Sequence, residues 1–253
     1  MIVRAAAMLA LCARLPLFAQ AGTMHQRSPV YVPFVGCESG GQTDVLKAPK
    51  GTSKAVPISP KVAEMLAYFE SADGIGLLAP RGWYCEGASG SSGYVLYLSP
   101  KPNDHDLSGW HGLEGPAIGV DHMSNENSGK WDIAEIMARV FPSYRAFATR
   151  FMKRMDVPIP SGPYPKDTLR YRSKTIVEYN TPAQTEGLGS FDSWLGKSDH
   201  PITGAAMIVG DPPNVRNGPD LVLLSVRFPP ELAGLIPVIV GQFERNAAVA
   251  TRK

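Results

Sequence analysis

The sequence predicts an α+β fold, a mainly antiparallel sheet packed with three to four helices, and three observations carry that prediction. Short runs rich in β-branched and aromatic residues crowd the C-terminal third with no helices alternating between them, which favours an antiparallel over a doubly wound sheet. Other segments, the last of them at the C-terminus, repeat apolar residues at helical spacing. Twenty-five glycines and 23 prolines punctuate the chain without forming a low-complexity tract, so many turns link short elements.

Residues 1–21 read as an export signal rather than as part of the fold. Arg4 supplies the positive start, the run from Ala5 to Ala19 the apolar stretch, and Ala19-Gln20-Ala21 a small-x-small cleavage site, although Arg14 interrupts the run. Leu9 to Cys12 looks like a lipoprotein box, but Leu11 beside the cysteine is too bulky for that cleavage. The expected mature chain, 22–253, is one α+β domain, and the proline-rich 157–165 is the best place for a sub-boundary. No later run reaches the roughly 18 apolar residues of a membrane span.

Taken in order, "PVYVPFVGC" at the start of the domain is extended. Ser59 then caps a helix with Pro60 in its first turn, and Val62, Ala63, Leu66 and Phe69 form a stripe that ends near Gly74. A flexible turn over "GASGSSG" precedes strands at 94–98 and 117–122. A second helix opens at Asp132, with Glu135 completing a capping box and Pro142 kinking or breaking it before "SYRAFATRFMKRM" continues as helix. Strands follow at 168–179, 205–209 and 221–228. After Pro229-Pro230 a closing helix carries Leu232, Leu235, Ile236, Ile239, Val240 and Phe243 on one face, with a kink expected at Pro237.

Twenty-five Lys and Arg stand against 23 Asp and Glu, a net charge of +2, and loss of Arg4 and Arg14 brings it to about zero. That balance excludes the broad basic excess by which proteins bind nucleic acid or membrane surfaces non-specifically. Cleavage also removes Cys12, so Cys37 and Cys85 remain to form one disulfide, or else two buried thiols.

Four features invite a chemical reading. Cys85-Glu-Gly-Ala-Ser89-Gly90 imitates the run around a protease serine, but only His25 precedes it in the mature chain, and Ala88 replaces the aspartate of that motif. Ser89 is a lookalike in a turn. His105, His111 and His122, accompanied by Asp104, Asp106 and Asp121, have the chemistry of metal ligands, although their spacing matches no local motif. Solvated loop histidines are the plainer explanation. On one strand over 168–179, Arg170, Arg172 and Lys174 would project from one face as a candidate anion-binding surface, or simply protect a solvated edge. Four tryptophans (Trp83, Trp110, Trp131, Trp194) lie beside glycines or polar turns, as packing anchors or as the lining of a groove.

The segments "YVPFVGCES", "ISPKVAEMLAYFESADGIGLLAPRGWYC", "GPYPKDTLRYRSKTIVEYNTPAQTEGLG" and "DLVLLSVRFPPELAGL" together resemble an uncharacterised family of exported proteins from Gram-negative bacteria. The resemblance implies export and a place for both Cys37 and Cys85 in the domain. It implies no activity, cofactor or catalytic residue.

The expected function is therefore a non-enzymatic, periplasmic or secreted domain that binds an acidic envelope component or a protein partner, without nucleic acid and without a cofactor. The alternative is an extracytoplasmic hydrolase, metal-dependent or not, built on His105, His111 and His122. A purely structural envelope component is the third reading.

Overall fold

A computed structural model describes residues 28–41, 44–102, 113–191, 195–210 and 218–250 of the protein, the side chains of 247–250 excepted. The N-terminal half contains β1 (Val30–Cys37), β2 (Ser39–Gly40), β3 (Val45–Leu46), β4 (Ser53–Val56), α1 (Pro60–Ala63), β5 (Leu66–Ser71), β6 (Gly76–Pro80), β7 (Tyr84–Gly90), β8 (Gly93–Ser99) and β9 (Ala117–Met123). Two helices follow, α2 (Lys130–Val140) and α3 (Arg145–Arg154). Then come β10 (Thr168–Tyr171), β11 (Ile176–Thr181), β12 (Ile202–Val209), β13 (Asp220–Arg227) and α4 (Ile236–Ala250).

The strands form two sheets, one in the order β4-β1-β5-β6 and one in the order β10-β11-β12-β13-β9-β8-β7-β2-β3. Among the described residues only the β1/β5 and β2/β7 pairs are parallel, so the fold is α+β and mostly antiparallel. The central strands of the larger sheet are buried on both faces. Along β12, Ala205 and Met207 turn to one side, and Ala206 and Ile208 to the other, following the period-two alternation of a strand.

The first side packs on the smaller sheet through Leu66, Phe69, Leu77 and Leu78, and on α4 through Ile239, Val240 and Phe243. The second side packs on α2 and α3 through Ile133, Ile136, Met137, Val140 and Met152. Each such side chain contributes roughly 1.5–3 kcal/mol when fully buried, which places the stability of the fold in these two layers.

Cys37 closes β1 in the smaller sheet, and the chain crosses at Glu38 into the larger one. The disulfide to Cys85 on β7 pins that crossing, with a Cα–Cα distance of 5.6 Å. No helix among the described residues is long and apolar enough to cross a membrane.

Four local expectations change. The helix at Pro60 lasts a single turn, and Leu66–Ser71 is a strand at the centre of the smaller sheet. Its run of buried residues satisfies two covered strand faces as well as it satisfies a helix stripe, so periodicity alone could not separate them. The segment over 84–93 is a tight hairpin, with Ser89 on β7 and the turn at Ser91-Ser92. The α2 helix starts earlier than Asp132, at Lys130, without a side-chain cap. Pro237 sits in the first turn of α4, where its missing N–H has no helical partner to lose, so it starts that helix instead of kinking it. By contrast, Pro142 does separate α2 from α3.

Candidate functional site

The single strand expected over 168–179 is a hairpin. Ser173 and Thr175 bridge their hydroxyls at 3.2 Å inside the reversal, and the Arg172 N–H donates to the Ile176 carbonyl at 3.0 Å. Arg170 thereby faces Glu178 across the ladder, with Nη1–Oε2 at 3.6 Å. Arg172 lies 3.1 Å from Glu178 and 3.8 Å from Glu244 of α4. Burial, and then the charge of Glu178, raise the pKa of Glu244 above its ordinary value. Lys174 stands exposed at the loop tip. Both arginines of this candidate anion-binding face already meet carboxylates.

Of the three histidines, His105 and His111 lie outside the described residues, as do Trp110 and Trp194. His122 sits on β9 with its ring stacked on Tyr94, the centroids 4.2 Å apart and the planes at 6°. Its Nε2 is 3.7 Å from Asp220 Oδ2, and its Nδ1 is buried without a hydrogen bond. Burial lowers its pKa below the ordinary histidine value, with the charge of Asp220 opposing the shift. Ser89, Tyr94, His122 and Val222 occupy one row across β7, β8, β9 and β13. Two strand spacings separate Ser89 from His122, about 10 Å, with the Tyr94 ring between them. A nucleophilic serine needs its base at hydrogen-bond distance, so this pair is not one.

A different cluster emerges between α2 and α3. Phe147 and Phe151, one helical turn apart on α3, line a cleft of about 830 Å³, and Trp131 of α2 packs on Phe151 with centroids 5.5 Å apart. Asn125 and Gly218 close its base. The Asn125 N–H donates to Asp220 Oδ1 at 2.9 Å, and Gly218 has φ +93 with its absent Cβ position only 2.1 Å from Asn125 Nδ2. Only glycine fits there.

Around this apolar lining stand Lys130, Arg150, Lys153 and Arg154, with Glu126 the one carboxylate among its described residues. None of the four cations has an ion-pair partner among the described residues. Lys130 lies 5.7 Å from the Trp131 ring and Arg154 6.0 Å from the Phe151 ring, both at cation–π range.

Helix electrostatics accounts for part of this arrangement. Lys153 and Arg154 occupy the last turn of α3, where the dipole favours cations. Lys130 occupies the first turn of α2, where the dipole disfavours one, and Arg150 is at neither end. The cleft's volume lies in the range typical of ligand sites, and its chemistry suits an anion with an apolar or planar body. Sequence reasoning treated 143–155 only as a helix. The available signal was the decapeptide of α3, which carries four cations and no carboxylate.

A buried cation was also missed. Arg227, at the end of β13, donates to the carbonyls of Gly115, Leu195 and Leu113 and ties two loops to the sheet. Compared with known proteins, the chain matches no family model, no curated protein and no solved structure.

Proposed function

We propose that the protein is an exported, periplasmic or secreted binding domain for an anionic ligand, and that the cleft between α2 and α3 is its site. The observation that carries this reading is the set of four cations around an aromatic lining, none of them neutralised by a described carboxylate. The cluster stands out because the mature chain as a whole has almost no net charge. Export accords with the N-terminal pattern, with the likeness to an exported family, and with the oxidised Cys37–Cys85 pair. The hydrolase reading draws no support from its one described histidine, whose ring is stacked on Tyr94 and whose Nε2 faces a single carboxylate, Asp220.

The test is binding of tripolyphosphate, followed calorimetrically over a salt series. Arg150→Glu with Arg154→Glu is expected to weaken binding at least tenfold, and added salt to weaken the wild-type interaction. Arg170→Gln with Lys174→Gln is expected to change it less than twofold. The reverse order of effects would move the site to the hairpin.

A further inference from the structure

Resting on that reading, we infer that the anion this site meets is the headgroup layer of an acidic lipid surface, with the C-terminal end of α3 as the docking element. Arg150, Lys153 and Arg154 are all exposed, which suits a charged plane better than an enclosed phosphate whose donors would be buried around it. Met155 follows them directly and is 42% exposed, and Ile159 is 37% exposed.

Backbone bonds keep Met155 beside the cations, and a side chain holds the segment of Ile159 along the same helix. The Met155 N–H donates to the Phe151 carbonyl at 3.2 Å, and the Val157 N–H to the Met152 carbonyl at 3.0 Å, which folds the chain back at Asp156 (φ 54) onto the last turn of α3. Arg145 then holds the carbonyls of Pro160 and Ser161, each at 3.0 Å, so the segment bearing Ile159 runs back along the helix. Asp156 is the single carboxylate among the four cations of 145–160.

Cationic side chains flanked by protruding apolar ones are the composition that lies in a headgroup boundary. Overall neutrality does not oppose this, because it leaves the rest of the surface unattracted and gives the docked molecule one orientation.

Vesicle co-sedimentation of the mature protein tests the inference. Phosphatidylglycerol-containing vesicles are expected to be bound and pure phosphatidylcholine vesicles not. Met155→Ser with Ile159→Ser is expected to weaken vesicle binding about tenfold while leaving tripolyphosphate binding unchanged. Arg150→Glu with Arg154→Glu is expected to abolish both, and Lys153→Glu alone, fully on the surface, to weaken both. Tripolyphosphate binding without vesicle binding would overturn the lipid surface and leave the anion site standing. Undiminished vesicle binding by the serine variant would also overturn it. Binding of neither probe would overturn both proposals.

Discussion

Cleaving the Cys37–Cys85 bond should lower stability by an amount that its position allows to be worked out. The two cysteines are 48 residues apart. Closing a loop of that length removes about 14 cal/mol/K from the unfolded chain in the chain-entropy treatment, or about 4 kcal/mol at 25 °C. Native contacts at the same corner hold the crossing in place without the bond, so the loss is that of the unfolded-chain term. The Gly87 N–H still donates to the Glu38 carbonyl at 2.9 Å, and β2 still pairs with β7. For a domain of this size each kcal/mol moves Tm by roughly 2–4 °C, so a fall of about 10 °C is expected. The assay is thermal unfolding by circular dichroism for the wild type with and without reductant and for Cys37→Ala with Cys85→Ala. The double variant should melt with the reduced wild type and be insensitive to reductant. A fall below about 2 °C would refute the loop-closure argument for this bond.

Two further outcomes follow from the larger sheet. Adding a Cβ at Gly204 would place it 1.8 Å from the Leu224 carbonyl oxygen and 2.7 Å from the Tyr179 hydroxyl, both fixed by the β11-β12-β13 ladder. Gly204→Ala should therefore cost about 3 kcal/mol or more in urea unfolding. Tyr179→Phe, which removes the hydroxyl that bonds Leu224 O (2.8 Å) and Ser225 Oγ (2.6 Å), should cost about 1–2 kcal/mol; equal losses would deny the backbone clash. His122 gives a pH dependence of known sign. Its folded pKa is lowered below 6.5, so the unfolded chain binds the proton more readily. Its contribution is complete above pH 6.5 and is lost as pH falls toward the folded value. His122→Phe, which keeps a ring against Tyr94, should lose less stability between pH 7.5 and pH 5.5 than the wild type; parallel slopes would show that His122 does not titrate differentially.

Much of the fold was legible where local chemistry and tertiary burial agree. The strands around 94–98, 117–122, 205–209 and 221–228 and the closing helix stand where branched and aromatic runs or a helical stripe placed them. Legibility failed where one pattern satisfies two structures. Val62, Ala63, Leu66 and Phe69 fit a helix face, yet Leu66–Ser71 lies between β1 and β6, where both of its faces are covered. Over 168–179, alternation suggested one strand, but Ser173 and Thr175 turn the backbone through their hydroxyls and divide it into two.

The site divides in the same way. Composition determined the near-neutral charge, the small number of cysteines and the apolar stripes of the helices, because these depend on residue identity and near neighbours alone. Which cations remain free was decided by the tertiary structure. Glu178 and Glu244 reach Arg172 from a neighbouring strand and from α4, whereas Lys130, Arg150, Lys153 and Arg154 converge on the α2–α3 cleft with no described carboxylate paired to any of them. Charge neutralisation acts over a few ångströms of space, and the separation of those groups along the chain carries no measure of it.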